Sequence, residues 1–257
     1  MILKNKKGVI FGIANDHSIG WGIAEKLNKH GAKLAITYQN DILLKRVKPL
    51  AEKINSEMII ECDFSKKLAI KNCFNIIKEK WDEIDFVIHA AAFSAKEELN
   101  GRYIETSKEN FTNTLNISCY SFTEISKYAS ELMKNGGSLL TMSFLGANKV
   151  MPNYNVMGVA KAALETSVKY LSVDLGGKRI RVNAISAGPM RTLAGAAISN
   201  AREVYKFTEK NAPLQRSLKL EELGNSALFF VSDLSTAITG EIHYVDCGFN
   251  IIGMPQV

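Results

Sequence analysis

Short apolar runs alternate with longer amphipathic stretches almost from end to end of this chain. Residues 8–12, 34–38, 58–62, 85–89, 138–142, 180–185 and 241–245 are dominated by apolar side chains. Strands that are apolar along their length, instead of alternating with polar positions, suit a parallel sheet covered on both faces. Residues 19–29, after the first run, carry apolar positions at helical spacing. Strand–helix alternation with right-handed crossovers predicts an α/β fold: a doubly wound parallel sheet of Rossmann type, about seven strands with helices on both faces. No internal repeat, low-complexity tract or Pro/Gly-rich linker interrupts the pattern, so residues 1–257 are expected to form a single domain. Such a sheet gathers its ligands in a crevice at the carboxyl ends of the strands. That rule places Gly12, Gln39, Asp63, residues 90–93, Ser143, Phe144 and residues 186–189 around one site.

With 257 residues, 46% of them hydrophobic, the chain can bury a full core. No apolar run is long enough to span a bilayer. The apolar stretch 8–14 is short and runs into Asn15, Asp16 and His17 without a cleavage pattern, so no export signal is read. The four cysteines, Cys62, Cys73, Cys119 and Cys247, are scattered and have no histidine at ligand spacing. They read as reduced thiols of a cytoplasmic protein, with no metal site. The net charge of +6 is spread over lysines such as Lys26, Lys29, Lys45, Lys48, Lys78 and Lys80. This is a solvated surface without a dense basic tract, so neither a nucleic acid nor a membrane is expected as a partner.

The first strand runs into a loop, residues 12–22, with glycines at Gly12, Gly20 and Gly22. Glycine lets the backbone turn sharply beside a pyrophosphate, and the following helix N-terminus offers unpaired N–H groups and positive potential. Ser18 is a candidate N-cap for that helix. The spacing is not Gly-x-Gly-x-x-Gly, so the loop alone reads equally well as an ordinary strand–helix turn. Far downstream, Tyr154 and Lys161 stand seven residues apart. That is nearly two helical turns, so both side chains can point the same way. A phenol beside a cation is a proton donor whose charge state the cation can tune. With a nucleotide loop to work beside, the pair points to a nicotinamide-dependent reductase.

Gly12, Ser18, Ile19, Gly22, Ile23 and Ala24, joined to residues 37–40, 152–158 with Lys161, and 181–189, closely resemble one family. It is the NADH-dependent enoyl-acyl-carrier-protein reductase family of bacterial type II fatty-acid synthesis, a divergent branch of the short-chain dehydrogenase/reductases. The resemblance runs from about Lys6 to Ile252. Its Tyr-x6-Lys spacing is specific to the branch, since ordinary superfamily members have Tyr-x3-Lys. The resemblance implies reduction of trans-2-enoyl-acyl-carrier-protein by hydride from NADH, an acyl-carrier protein as partner, and a homotetramer. By it, Gly12, Ser18 and Ile19 would hold the pyrophosphate, and Gln39 would lie beside the adenosine ribose. Asp63 and Phe64 would surround the adenine, and Ala91 would lie against the cofactor. Met190, Arg191, Thr192, Leu193 and Ala194 would cover the nicotinamide and diphosphate side. Asp63 taken alone reads equally well as a helix N-cap. Gln39 is uncharged, and Lys45 and Arg46 come a helical turn later, which favours NADH over NADPH.

The resemblance also makes Tyr154 the donor to the enolate oxygen, and Lys161 the residue that bonds the nicotinamide ribose and favours a more acidic Tyr154. The family usually carries a second tyrosine ten residues before the catalytic one; here that position is Phe144. If the missing hydroxyl served a substrate hydrogen bond, about 1 kcal/mol would be lost from the site. Phe144 is therefore the one feature favouring a non-catalytic NAD-binding paralogue, and a carbonyl reductase of the same superfamily is the other rival. Phe93 and Ser94 would border the thioester, and Met157 and Pro189 could line the floor. Residues 193–210 are expected to cover the acyl channel, with Leu193, Ala194, Ala196, Ala197 and Ile198 toward the tail. Arg202, Lys206 and Lys210 recur every four residues as one helical stripe. The stripe reads either as a solvated face or as a dock for an acidic carrier protein. His89 and His243 lack a carboxylate or serine at motif spacing and read as structural, and His17 lies in the glycine loop. The tail 248–252 reads as an interface or as ordinary packing.

Overall fold

The computed structural model describes residues 1–196 and 199–254. Seven strands form one sheet in the order β3-β2-β1-β4-β5-β6-β7, every pairing parallel. They are β1 (Lys7–Phe11), β2 (Lys33–Tyr38), β3 (Met58–Glu61), β4 (Phe86–His89), β5 (Gly137–Phe144), β6 (Ile180–Ala187) and β7 (Ile242–Val245). All seven expected strands are present. β5 and β6 run two residues further toward the crevice than the apolar runs suggested, because Ser143 pairs with Ser186 and Phe144 with Ala187.

The helices are α1 (Ile19–Lys29), α2 (Asp41–Lys53), α3 (Ala69–Trp81), α4 (Lys96–Leu99), α5 (Lys108–Leu115), α6 (Ser121–Leu132), α7 (Asn155–Gly176), α8 (Leu193–Ala196), α9 (Ala201–Asn211) and α10 (Leu220–Val231). Alternate side chains of each strand enter opposite layers, so the sheet is buried twice. Val9, Phe11, Val87, Leu139 and Val182 cluster with Phe74 and Ile77 of α3, Phe122 and Ile125 of α6, and Leu164 and Val168 of α7. Ile10, Ile36, Ile88, Leu140 and Ile185 cluster with Ile23 and Leu27 of α1, Val47 of α2, and Leu223 and Ala227 of α10.

Two irregularities point the chain at the crevice. A π-helical turn, Asn116–Tyr120, joins α5 to α6. Such a bulge re-aims side chains without ending the helix. There the Ser118 hydroxyl accepts from the Phe93 amide and donates to the Phe93 carbonyl, both at 3.0 Å, and so anchors the loop after β4. The second irregularity is α7, whose buried stripe includes Lys161 and Glu165 among apolar neighbours. Two charged side chains on the core face of a helix need partners, and the site supplies them.

His89 at the end of β4 is wholly buried, with Thr141 Oγ1 2.8 Å from Nδ1 and Ser121 Oγ 2.9 Å from Nε2. It is a structural histidine, as expected. Burial, with Lys161 nearby, lowers its pKa from 6.5 to about 3. Below pH 6.5 the unfolded chain takes up a proton that the folded chain refuses, so stability falls as pH drops toward 3. The slope is about 1.4 kcal/mol per pH unit. Urea unfolding between pH 4 and 6 is expected to show a flatter slope for His89→Gln than for the parent. An equal slope would contradict this assignment.

Candidate active site

β1 ends at a turn that only glycine can make. Gly12 has φ of 95°, and a Cβ there would lie inside the contact radius of the Ala90 carbonyl on the neighbouring strand. The loop then folds around Ser18, whose Oγ accepts from the amides of Ala14 and Asn15 at 3.0 Å each. Ser18 occupies the N-cap position of α1, but its side chain makes no bond to the helix. The expected cap is thus corrected: the hydroxyl is spent on the loop, and the opening N–H groups of α1 at Ile19 and Gly20 keep their capacity for an anion.

Gln39 follows β2 and donates from Nε2 to Asp63 Oδ1 at 3.4 Å. Asp63 Oδ1 also accepts from the Ser65 amide at 3.0 Å and the Ser65 hydroxyl at 2.8 Å. It closes a local turn, while the N-cap position of α3 belongs to Leu68. Asp63 is therefore no helix cap. Phe64 lies between Phe11, at 5.8 Å between ring centroids, and His89, at 6.0 Å.

The carboxyl ends of β5 and β6 and the start of α7 make the reactive end. Tyr154 precedes α7 in a turn whose two asparagines both adopt positive φ, 57° at Asn153 and 36° at Asn155. Asparagine tolerates that region better than most residues, and here both side chains are engaged. Asn153 Nδ2 donates to the Ser199 carbonyl at 3.0 Å, and Asn155 Nδ2 to the Leu99 carbonyl at 3.2 Å. The Tyr154 turn is thus tied to the end of α4 and to the turn before α9. Its ring lies over Gly146, where a Cβ would collide with it. It meets Phe144 edge-on, with centroids 4.9 Å apart at 66°.

Lys161 comes two turns along α7, is 6% exposed, and donates from Nζ to the Met142 carbonyl at 2.7 Å. Burial pulls its pKa down from 10.5 to about 8, with Cys119 and Glu165 opposing the shift. At neutral pH it remains mostly charged, with two N–H groups beyond the Met142 bond. The expectation of a more acidic Tyr154 is corrected. Burial pushes that phenol well above its usual range, and the charge of Glu165 adds to the rise. Tyr154 holds its proton at neutral pH.

One cavity of about 750 Å³ joins these parts, a size within the roughly 300–1,000 Å³ of ligand sites. Gly12, Ser18, Ile19, Gln39, Asp63, Phe64, Ala91, Phe93, Ser94, Phe144, Tyr154, Met157, Lys161, Met190, Thr192 and Leu193 all line it. The Ser94 hydroxyl is tied inward to Asn110 and Thr114. Arg191 is exposed and is not among the lining residues. Ala194 and Ala196 lie in α8, and Ala197 and Ile198 fall outside the described residues.

Sequence reasoning missed Met151, Leu99, Val204 and Tyr205 on the cavity wall. Tyr205 donates from its hydroxyl to the Met190 carbonyl at 2.9 Å, fastening α9 to the loop after β6. The signal was present: Ala201, Val204, Tyr205 and Thr208 recur at helical spacing opposite the charged stripe. Arg202, Lys206 and Lys210 are exposed on the other face, with Glu203 and Glu209 among them.

A parallel sheet ordered 3-2-1-4-5-6-7, with a glycine turn after β1 and a crevice at the strand ends, defines a doubly wound α/β protein of the dinucleotide-binding class. Residues 12–250 match the family described as Enoyl-(Acyl carrier protein) reductase. The enoyl-[acyl-carrier-protein] reductase [NADH] FabI of Rickettsia prowazekii is 57% identical over 256 residues, covering 100% of this chain and 98% of that protein. The crystal structure of FabI from Candidatus Liberibacter asiaticus superposes with a TM-score of 0.97 at 52% identity, covering 99% of each chain. That of the Anaplasma phagocytophilum reductase in complex with NAD gives 0.95 at 50% identity, covering 100% of this chain and 96% of that one. The chain belongs to the enoyl-acyl-carrier-protein reductase family.

Proposed function

We propose that this chain reduces trans-2-enoyl-acyl-carrier-protein to the saturated acyl form in fatty-acid elongation, with NADH as the reductant. The observation that carries this reading is the burial of Tyr154 and Lys161 together in the cavity that begins at the Gly12 turn.

Bound NADH supplies a hydride to the β-carbon of the enoyl group. The thioester oxygen then takes negative charge, and the Tyr154 hydroxyl donates its hydrogen bond where that charge develops. A proton drawn from solvent completes the α-carbon as the enolate collapses to the saturated thioester. Burial keeps the phenol protonated and therefore able to donate. Lys161 directs its remaining N–H groups to the nicotinamide ribose hydroxyls. Gly12, the N–H groups opening α1 and the loop bound to Ser18 fit a pyrophosphate. Gln39, next to Asp63 and followed by Asp41 at the start of α2, places carboxylates at the end of β2, and the nearby Lys66 ammonium is already paired with Glu61 at 2.7 Å. That favours NADH over NADPH.

Phe144 keeps the ring contact that sets Tyr154, and such pairs contribute about 0.5–1.5 kcal/mol. The non-catalytic reading is therefore disfavoured, because the tyrosine is set without the second hydroxyl, and the Tyr-x6-Lys spacing of Tyr154 and Lys161 argues against a carbonyl reductase. Phe144→Tyr is expected to change kcat/KM by less than about fivefold, the scale of one hydrogen bond. An inactive parent restored by Phe144→Tyr would instead establish the non-catalytic reading.

On the substrate side, α8 and α9 cover the cavity as part of a single domain. The outward stripe of Arg202, Lys206 and Lys210 steers an acidic carrier protein. The double variant Arg202→Glu/Lys206→Glu is expected to raise KM for a carrier-bound enoyl substrate about tenfold at low salt. The KM for a CoA thioester should stay near the parental value, and equal effects on both would refute the docking role. Edge strand β7 and the exposed Ile251 and Met254 beyond it support a homotetramer. No helix among the described residues is long and apolar enough to cross a membrane. With the unpaired cysteines, this supports a cytoplasmic protein.

A further inference from the structure

Glu165 is a buried carboxylate that the reaction described above does not use. It stands one turn after Lys161 on α7 and is 7% exposed. Ser143 donates to its Oε1 at 2.6 Å, and Asn148 Nδ2 donates to its Oε2 at 3.0 Å and toward the Tyr244 hydroxyl at 3.2 Å. Lys161 holds the carbonyl of Met142, the residue before Ser143. Two side chains one helical turn apart therefore grip consecutive residues at the end of β5, immediately before Phe144 packs on Tyr154. Ser143, Ser186 and Tyr244 are in register across β5, β6 and β7, so this polar group caps one face of the sheet beside the cavity.

A helix–sheet joint could have been apolar here, as it is one turn later at Val168. A buried carboxylate is costly to place, and this one is compensated by two donors and a nearby ammonium. We propose that Glu165 is a positioning residue for the reductase reaction, a buried counter-charge that keeps Lys161 protonated for the cofactor and clamps the end of β5 through Ser143.

The groups facing Lys161 and Glu165 from the surrounding elements leave this role to Glu165. His89 on β4 stays neutral down to about pH 3. Burial raises the Cys119 thiol on the π turn and the Tyr154 and Tyr244 phenols, so all three keep their protons at neutral pH. Cys119 is the stronger electrostatic influence on Lys161 once its thiol ionises, but that thiol is neutral at neutral pH, and there Glu165 supplies the negative charge.

The inference rests on the reductase reading, yet its test needs no enoyl substrate. NADH affinity is measured by nicotinamide fluorescence from pH 6 to 9.5 for the parent, Glu165→Gln and Glu165→Asp. The parental Kd is expected to weaken as Lys161 loses its proton. In Glu165→Gln that limb should move about one pH unit lower, giving a several-fold weaker Kd at pH 8 and little change at pH 6. Glu165→Asp keeps the charge and should keep the limb near the parental pH. Limbs that superimpose in the parent and Glu165→Gln, or shift alike in both variants, would overturn the proposal. Should Glu165→Gln fail to fold, Ser143→Ala tests the clamp: NADH binding is expected to weaken a few-fold at every pH with the limb unmoved, and parental affinity would refute it. A parent that binds NADH with this pH profile but does not reduce enoyl thioesters would fail the reductase reading while leaving the Lys161–Glu165 coupling intact.

Discussion

Replacing Tyr154 with phenylalanine is expected to lower kcat for enoyl-thioester reduction by about two to three orders of magnitude, the usual loss when one donor to a developing oxyanion is removed. NADH affinity should stay within about twofold, because the substitution removes one oxygen and keeps the ring. The ring is held independently of its hydroxyl, by the edge contact with Phe144, by Gly146 beneath it, and by the two asparagine anchors beside it. The variant should therefore fold with an unchanged cavity, and its loss should appear in kcat with little change in KM. That split identifies an interaction made in the transition state and not in the ground state. A variant retaining more than about a tenth of parental kcat would remove Tyr154 from the centre of the mechanism.

Lys161→Met is expected to act on the cofactor first. Methionine fills much of the same buried volume but offers no donor to the nicotinamide ribose and none to the Met142 carbonyl. Hydrogen bonds from a charged donor contribute about 1.5–3 kcal/mol, so Kd for NADH should rise roughly ten- to a hundredfold. Folding stability should also fall, because the Met142 carbonyl loses its donor and the buried Glu165 loses its nearby ammonium, so NADH affinity is to be read on the folded fraction. The parent should show a related effect, with kcat/KM for NADH declining above about pH 8 as the free enzyme's Lys161 deprotonates. A Lys161→Met protein that binds NADH as the parent does would show that the ammonium serves packing alone.

The fold was legible because each strand announces itself as an apolar run, and a parallel sheet buried on both faces leaves little room for another reading. Strand ends were less legible. Ser143 and Ser186 are polar, and the carboxylate that accepts from the Ser143 hydroxyl, Glu165, lies far along the chain. At the site, the Tyr154–Lys161 spacing and Gly12 showed in the sequence because backbone geometry demands them. Side-chain partners did not. Ser18 matched the N-cap pattern, yet its hydroxyl turned back to the amides of Ala14 and Asn15.

The sign of the Tyr154 shift was misjudged for a similar reason. Sequence spacing showed a neighbouring cation but could not show that the phenol is buried and lies within the field of Glu165. Tyr205 is hard to find in the sequence because α9 has two faces, and its charged stripe of Arg202, Lys206 and Lys210 is the more conspicuous one. Its apolar face, carrying Val204 and Tyr205, forms the cavity wall.

The most direct test of the account follows NADH oxidation by the purified protein with a trans-2-enoyl-acyl-carrier-protein substrate and identifies the product. The account predicts one saturated acyl thioester formed per NADH consumed. NADH that binds but is not oxidised, with the enoyl thioester recovered unchanged, would contradict it.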